Sequence, residues 1–531
     1  VSGSGGASAA FPVHLDRAAE APLPVQLAAA LREAIDAATL RPGEQIPATR
    51  ELARRLGIAR GVVVAAYEQL IAEGYLASAH GRGTMVNPAL ERTDPADPEA
   101  AWSAEPAARA AAKPGTMAGA TAGAAAGTTA GTAAGGTPAA TASTAQNTTG
   151  SAAPATPLAA ALDRDEPPAP LTPGQPITDA VVGPAWRSAW RHAAALVDAV
   201  PPALGDPALR TEIADHLRRM RATARGAGDV LVTAGTRDGL GLLLTALGGT
   251  RGRELVVGVE DPGLPSLRGA AQRYGARIVA LPADGEGLDT SRLPEGMLDV
   301  VIVTPSHQYP LGGSLPLPRR RALLAWARRT GVVVVEDDFD SELRYTGSAL
   351  PTLAALDDPD RGSVVLLGTF SRTIAPGLSA GFLLAPAGLR ALIEPVRREL
   401  GGPVSGVVQA ALAAYLASGE LRRHTARMLR RYAARRDAVS ELLAGAAGVR
   451  VRPMDGGLHA VLEFTSGGSE REAAAVERGR AEGLGAAALG RYWQRRDSGT
   501  GMSGLVIGMG GADDDEFVRA LVRLRAILDA R

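Results

Sequence analysis

Two rhythms of apolar residues divide this 531-residue chain. Near the start, Leu27, Leu31 and Ile35 fall four apart, which predicts a helix from Pro24 through Ala37 with one buried face. Leu40-Arg41-Pro42-Gly43-Glu44 reads as a turn, and Thr49 is the expected N-cap of a second helix that Gly57 ends. A third helix holds Val62–Leu70, and two short strands follow, one beginning at Glu73-Gly74-Tyr75-Leu76 and the other Thr84–Val86. From about residue 168 the rhythm changes. Continuous apolar runs, Val230–Thr233, Leu255–Val259, Val300–Val303, Val332–Val335 and Val364–Leu367, alternate with helices rich in Arg, Ala and Leu. Strands that are apolar on both faces and separated by helices predict a largely parallel sheet covered on both sides.

Between these regions residues 93–165 lose all periodicity and fill with Ala, Gly, Thr, Pro and Ser. So few large side chains cannot offset the entropy of ordering, so a flexible tether is predicted. The expected division is a small domain at 11–90, a linker at 91–167 and a large domain at 168–531, with a C-terminal subdomain over about 400–531.

Composition narrows the function classes. The absence of cysteine excludes disulfides, thiolate metal sites and a cysteine nucleophile, and seven scattered histidines show no metal-ligand spacing. The N-terminal residues lack the basic start and apolar run of a secretory signal, and no run reaches the roughly 18 apolar residues of a membrane span. A cytoplasmic protein is expected. Formal net charge is zero, so any nucleic-acid contact must be local. It is local in residues 50–60, where Arg50, Arg54, Arg55 and Arg60 face one acid, Glu51.

Helix, helix, tight turn, helix and hairpin make a winged helix-turn-helix. Leu40-Arg41-Pro42-Gly43-Glu44, Ile46-Pro47-Ala48-Thr49-Arg50-Glu51-Leu52-Ala53, Ala72-Glu73-Gly74-Tyr75-Leu76 and Gly81-Arg82-Gly83-Thr84 resemble the winged helix of GntR-type transcription regulators. The resemblance implies DNA contacts from Arg50, Arg60 and Gly61 on the helices. It also implies contacts from a wing of His80, Gly81, Arg82 and Gly83 that follows the minor groove. Ala59-Arg60-Gly61-Val62 stands where that family usually has Ser-Arg-x-Thr, so two hydroxyls are missing.

The larger region resembles fold-type I aminotransferases, in the form fused to a GntR head in MocR/GabR-type regulators. Its landmarks run in order through Pro173-Gly174-Gln175-Pro176, Gly205-Asp206-Pro207, Thr233-Ala234-Gly235-Thr236, Glu260-Asp261-Pro262-Gly263, Ser306-His307-Gln308-Tyr309-Pro310, Glu336-Asp337-Asp338-Phe339 and Gly456-Gly457-Leu458-His459. The implied fold is α/β, a winged helix-turn-helix plus an aminotransferase-like domain with a smaller C-terminal α/β subdomain. The implied pocket holds Tyr309, Asp337 against a pyridine nitrogen, and Gly235, Thr236, Arg237, Thr369 and Ser371 around a phosphate.

Against that pattern four residues are changed. Arg372 stands where the lysine that binds pyridoxal phosphate (PLP) belongs, Phe339 replaces the hydroxyl near the ring's phenolic oxygen, and Ser379 replaces the phosphate arginine. Val506 stands at the carboxylate-binding arginine. A guanidinium cannot supply the free amine an aldehyde needs, and the single lysine of the chain, Lys113, lies in the tether. Asp337 itself has two readings, a ring contact or a strand-end acid paired with an arginine. The expected function is a homodimeric regulator of a double-stranded DNA operator, with no covalent cofactor, no catalytic or metal residues and an anionic small-molecule effector. The alternatives are a regulator holding PLP non-covalently, and a working aminotransferase with a DNA-binding head. Limited proteolysis by a protease of broad specificity should cut first within residues 93–165 and leave two resistant fragments. Resistance throughout that span would remove the tether.

Overall fold

The computed structural model describes residues 15, 23–36, 39–72, 75–79, 83–87, 169–196, 200–345, 350–494 and 502–530. The expected tether and the wing tip, His80, Gly81 and Arg82, lie outside the described residues.

The N-terminal part runs α1 (Leu23–Asp36), α2 (Thr49–Leu56), α3 (Arg60–Ala72), β1 (Leu76–Ala79) and β2 (Gly83–Val86). The four-residue spacing of Leu27, Leu31 and Ile35 does bury one face of α1, against Leu52, Val63, Ala66, Tyr67 and Leu70. Each such leucine contributes roughly 1.5–3 kcal/mol of burial. Gly57 ends α2 in the left-handed conformation, φ 62°, which a side chain would oppose. Thr49 does not cap α2 as expected. Ala48 is the N-cap without a side-chain bond, and Thr49 is the first helical residue. Its hydroxyl instead faces Arg60 Nε at 3.4 Å.

The larger part continues through α4 (Pro184–Ala194), α5 (Pro207–Arg221), β3 (Val230–Thr233), α6 (Thr236–Arg251), β4 (Val256–Asp261), α7 (Pro265–Arg273), β5 (Arg277–Asp284), β6 (Gly287–Leu288), β7 (Val300–Val303), α8 (Leu317–Thr330), β8 (Val333–Asp338), α9 (Leu353–Leu356), β9 (Val364–Thr369) and β10 (Gly381–Leu384). Eight of its strands form one sheet in the order β3-β10-β9-β8-β7-β4-β5-β6. Strands β5, β4, β7, β8 and β9 are parallel, while β10 is antiparallel to both its neighbours. The five apolar runs all became strands because helices cover both faces, burying successive valines on either side. The chain then adds α10 (Ala387–Leu400), α11 (Gly406–Ala417), α12 (Glu420–Leu442), β11 (Val449–Val451), β12 (His459–Phe464), α13 (Gly468–Ala481), β13 (Ala487–Ala488), β14 (Gly504–Gly508) and α14 (Asp514–Asp529). The last four strands make an antiparallel sheet, β11-β12-β14-β13, with its own apolar core.

Two polar devices fix the ends of the central strands. Arg221, fully buried at the end of α5, donates Nε to Leu350 O (2.8 Å) and Nη2 to Ser306 Oγ (2.9 Å), and pairs with Asp338 and Ser341. Glu336 on β8 accepts the backbone N–H groups of Leu353 (2.9 Å) and Ala354 (3.1 Å), closing the start of α9. The winged-helix core in turn includes Leu317 of α8 and touches Leu356 of α9, and Arg321 lies 5.3 Å from the ring centre of Tyr75. Among the described residues no helix is long and apolar enough to cross a membrane.

Replacing Arg221 with Met leaves Asp338 buried and unpaired. The expected loss is about 3–5 kcal/mol in chemical unfolding. A loss under about 1 kcal/mol would mean that the network does not hold the strand ends.

Candidate ligand pocket and nucleic-acid interface

The pocket gathers at the carboxyl ends of the parallel strands, where open α/β sheets leave a crevice. Successive residues of a strand point to opposite faces, and this sorts the three acids that end β8. Glu336 turns to α9 and Asp338 to Arg221. Asp337 points the other way, into the cleft. It is 3% exposed, and neither carboxylate oxygen has a hydrogen-bond partner. The reading of Asp337 as an arginine-paired structural acid is therefore corrected: the arginine partner belongs to Asp338. Burial raises the Asp337 pKa from the ordinary 3.8 to about 8, helped by the charge of Asp338 and opposed by Arg372.

Around Asp337 lies a small cleft lined by Glu260, Gly263, Leu264, Arg268 and Thr304. Glu260 accepts the Thr304 hydroxyl at 2.5 Å, and burial lifts its pKa to about 7. Neither residue was singled out in the sequence, because nothing local marks a strand-end acid as solvent-free. Leu264 of this cleft packs against an apolar cluster of Phe339 with Tyr309, Val461, Val506, Leu489, Tyr492 and Trp493. Tyr309 and Phe339 meet edge to face at 5.6 Å, and the Tyr309 and Tyr492 hydroxyls lie 3.5 Å apart. Val506, where an arginine would hold a substrate carboxylate, is fully buried in this cluster.

At the other end, Gly235 precedes α6 with φ 92°, a backbone that glycine adopts without strain. The first N–H groups of α6, beginning at Thr236, have no partner within the helix, and the same turn carries Asp238, whose carboxylate accepts Ala234 N at 3.0 Å. Thr369 at the end of β9 stands beside it and accepts Ser371 N at 3.1 Å. Arg237 opens the same helix turn with an exposed side chain, and Ser379, at φ 44° after the Pro376–Leu378 turn, is also exposed. Arg372 is half-buried and lies over Gly174, where a Cβ would collide with its guanidinium. Its charge reaches Asp337, Tyr309, Tyr492 and His459. Of the expected pocket residues Asp337 lines the cleft, Tyr309 and Phe339 pack in the apolar cluster, Gly235 and Thr369 stand together at the start of α6, and the Arg237 and Ser379 side chains are exposed.

Beside the apolar cluster, His307, Asp340 and His459 come together from three segments, with donor atoms within 4.8 Å of one another. Such a set can hold a metal ion, which the scattered histidine spacing did not suggest. His307 Nδ1 bonds Asp340 Oδ1 at 2.8 Å, and His459 Nε2 donates to Pro310 O at 2.8 Å. Burial lowers the His459 pKa to about 4.

On the winged helix, Glu51 pairs with Arg54 and Arg55. That leaves Arg50 and Arg60 exposed, with Arg60 reaching Thr49 beside Arg50, so both cations sit where α2 meets α3. Gly61 is exposed in the first turn of α3, and Gly83 opens β2.

Comparison with known proteins now adds to this geometry. The family of bacterial regulatory proteins, gntR family, matches residues 23–86, and aminotransferase class I and II matches residues 173–478. The pyridoxine biosynthesis transcriptional regulator PdxR of Corynebacterium glutamicum is 38% identical over 508 residues, covering 95% of this chain and 96% of that one. The chain belongs to the MocR-type GntR regulators. MocR of Rhizobium meliloti is 30% identical over 460 residues, covering 85% and 83% of the two chains. Among solved structures, an archaeal alanine:glyoxylate aminotransferase superposes with a TM-score of 0.60 at 20% identity, covering 67% of this chain and 89% of that one. At that identity the likeness shows the fold alone.

Two measurements follow for this MocR-type chain. Arg60→Ala should weaken operator binding by about 1–3 kcal/mol in a titration at fixed salt, as loss of a base-edge contact does. Unchanged binding would remove Arg60 from the interface. The second concerns Asp337. Its folded pKa lies above its unfolded one, so its contribution to stability is complete below pH 3.8 and is lost as pH rises through about 8. Asp337→Asn should flatten that decline in a pH series of melting temperatures, and an unchanged slope would contradict the burial of a protonated acid.

Proposed function

We propose that this protein is a transcription regulator that binds a double-stranded DNA operator as a homodimer, and whose aminotransferase-like domain senses a small anionic ligand without catalysing a reaction. Dimerisation suits a winged helix that reads two half-sites. One observation carries the loss of catalysis: Arg372 stands at the lysine position, and the chain's single lysine is Lys113.

A vitamin B6 compound held non-covalently is the ligand class that the pocket residues favour. Asp337 is an unpartnered buried acid of the kind a pyridine nitrogen needs, and PdxR carries pyridoxine biosynthesis in its name. Asp337 would hold the ring nitrogen, while the start of α6 with Thr369 and Ser371 would hold a phosphate. PLP supplies an electron sink and a reactive aldehyde when bound. Here no side chain of the domain offers a primary amine to that aldehyde. Phe339 has no hydroxyl that would meet a phenolic oxygen, and Ser379 would add no charge to a phosphate.

Borohydride treatment of the protein with PLP, followed by peptide mapping, should leave no pyridoxyl label within residues 171–531. Label on Lys113 or the α-amino group alone agrees with the proposal. A stoichiometric label on a side chain of the large domain would overturn it.

A further inference from the structure

His307, Asp340 and His459 have no part in holding a ring or DNA, yet three separate segments bring them together. His307 lies in the segment that follows β7, Asp340 stands two residues beyond β8, and His459 opens β12 of the C-terminal sheet. They are 7%, 2% and 3% exposed, and a donor atom of each lies within 4.8 Å of the other two. His307 Nδ1 donates to Asp340 Oδ1 at 2.8 Å, and Leu458 N donates to the second oxygen, Oδ2, at 3.3 Å. Gly457, at φ 84°, permits the close approach. A Cβ there would collide with the His307 ring and with Asp340 Oδ2.

The decisive atom is His459 Nδ1. Pro310 O can only accept, so its 2.8 Å bond fixes the proton of the neutral ring on Nε2 and leaves the lone pair on Nδ1. That nitrogen is buried and has no hydrogen-bond partner. A His–Asp hydrogen bond by itself has no use for a third residue whose open lone pair is closed off from water. A metal ion does. Metal-bound imidazoles hold their other N–H on a carbonyl or carboxylate, and ligating carboxylates are themselves hydrogen-bonded. Pro310 O and Leu458 N meet both conditions. Nitrogen and oxygen ligands sit about 2.0–2.2 Å from zinc, so the donors around a tetrahedral ion lie roughly 3.4 Å apart. The His307–Asp340 contact is already that close, and a separation of at most 4.8 Å to His459 is within reach of side-chain adjustment.

We propose that His307, Asp340 and His459 bind one divalent first-row metal ion, zinc or an ion of similar preference, with water as the fourth ligand. Two imidazoles and a carboxylate suit such ions, whereas magnesium and calcium take oxygen ligands. His307 and Asp340 also line a small cleft with Ser306, Gly312 and Gly457, through which an ion reaches them. Arg344 borders that cleft but is turned to Ser314 Oγ, with its Nη1 3.2 Å away. On binding, two metal–nitrogen bonds and one metal–oxygen bond form, and the proton of the His307–Asp340 hydrogen bond leaves to solvent. The ion ties β12 of the C-terminal sheet to the segments that follow β7 and β8. That task is structural and independent of the vitamin B6 reading.

The test uses the full chain without an affinity tag, stripped with a chelator, given zinc alone and desalted. Elemental analysis should find one zinc per chain. The loaded protein should melt several degrees higher, a gain that chelator reverses and that magnesium does not give. His459→Gln and Asp340→Asn should each lose the ion, while His192→Ala, at an exposed histidine near the end of α4, should keep it. X-ray absorption of the zinc-loaded native chain needs no variant and should show two imidazoles around the ion. No zinc retained by the native chain would overturn the proposal and leave the three residues a hydrogen-bonded core cluster. Zinc retained in full by His459→Gln, or a shell with fewer than two imidazoles, would overturn it as well.

Discussion

The burial of Asp337 without a partner is the constraint around which the large domain is arranged. A carboxylate removed from water costs several kcal/mol unless it is neutralised, and burial raises the Asp337 pKa to about 8, toward the protonated form. The sheet enforces this. Parallel pairing of β8 with β7 and β9 holds the strand end rigidly, and Arg221 is already committed to Asp338 on the opposite face. Neither the strand nor its neighbours can turn to relieve the acid. Among the described residues no donor reaches either carboxylate oxygen of Asp337.

The same strand end links the pocket to the DNA-binding head. Glu336, one residue before Asp337, closes the start of α9 through Leu353 and Ala354 N–H, and its pKa is raised to about 7 by burial and by Asp338. At the other end of that short helix, Leu356 packs against the winged-helix core. Arg321 of α8 adds a hydrogen bond of 3.3 Å to the Tyr75 hydroxyl. The side chain next to Asp337 on this strand thus holds the short helix against which the winged-helix core packs.

Much of this was legible in the sequence, for identifiable reasons. The helices of the head follow from Leu27, Leu31 and Ile35, and each continuous valine run became a strand because a doubly covered sheet demands apolar residues on both faces. The cofactor-like residues were placed by ordered landmarks, and of these Asp337 lines the cleft at the strand ends. What was hidden depends on direction and distance. Whether Asp337 or Asp338 meets an arginine is decided by strand alternation, which a run of acids does not reveal. Thr49 was expected to cap α2, but its place one residue inside the helix turns the hydroxyl toward Arg60. His307, Asp340 and His459 lie on three separate segments, and only the folding of β12 against the main sheet's loops unites them.

The central claim is that this domain reads a ligand through non-covalent contacts on Asp337 and the start of α6. It is tested most directly by a crystal structure of the protein grown with excess PLP. The account predicts a ring with its nitrogen within hydrogen-bonding distance of Asp337, its phosphate at the start of α6, and a clear break in the density between the ring and every side chain. Continuous density from the ring to any side chain of the large domain, or an empty pocket beneath a ligand bound elsewhere, would contradict it.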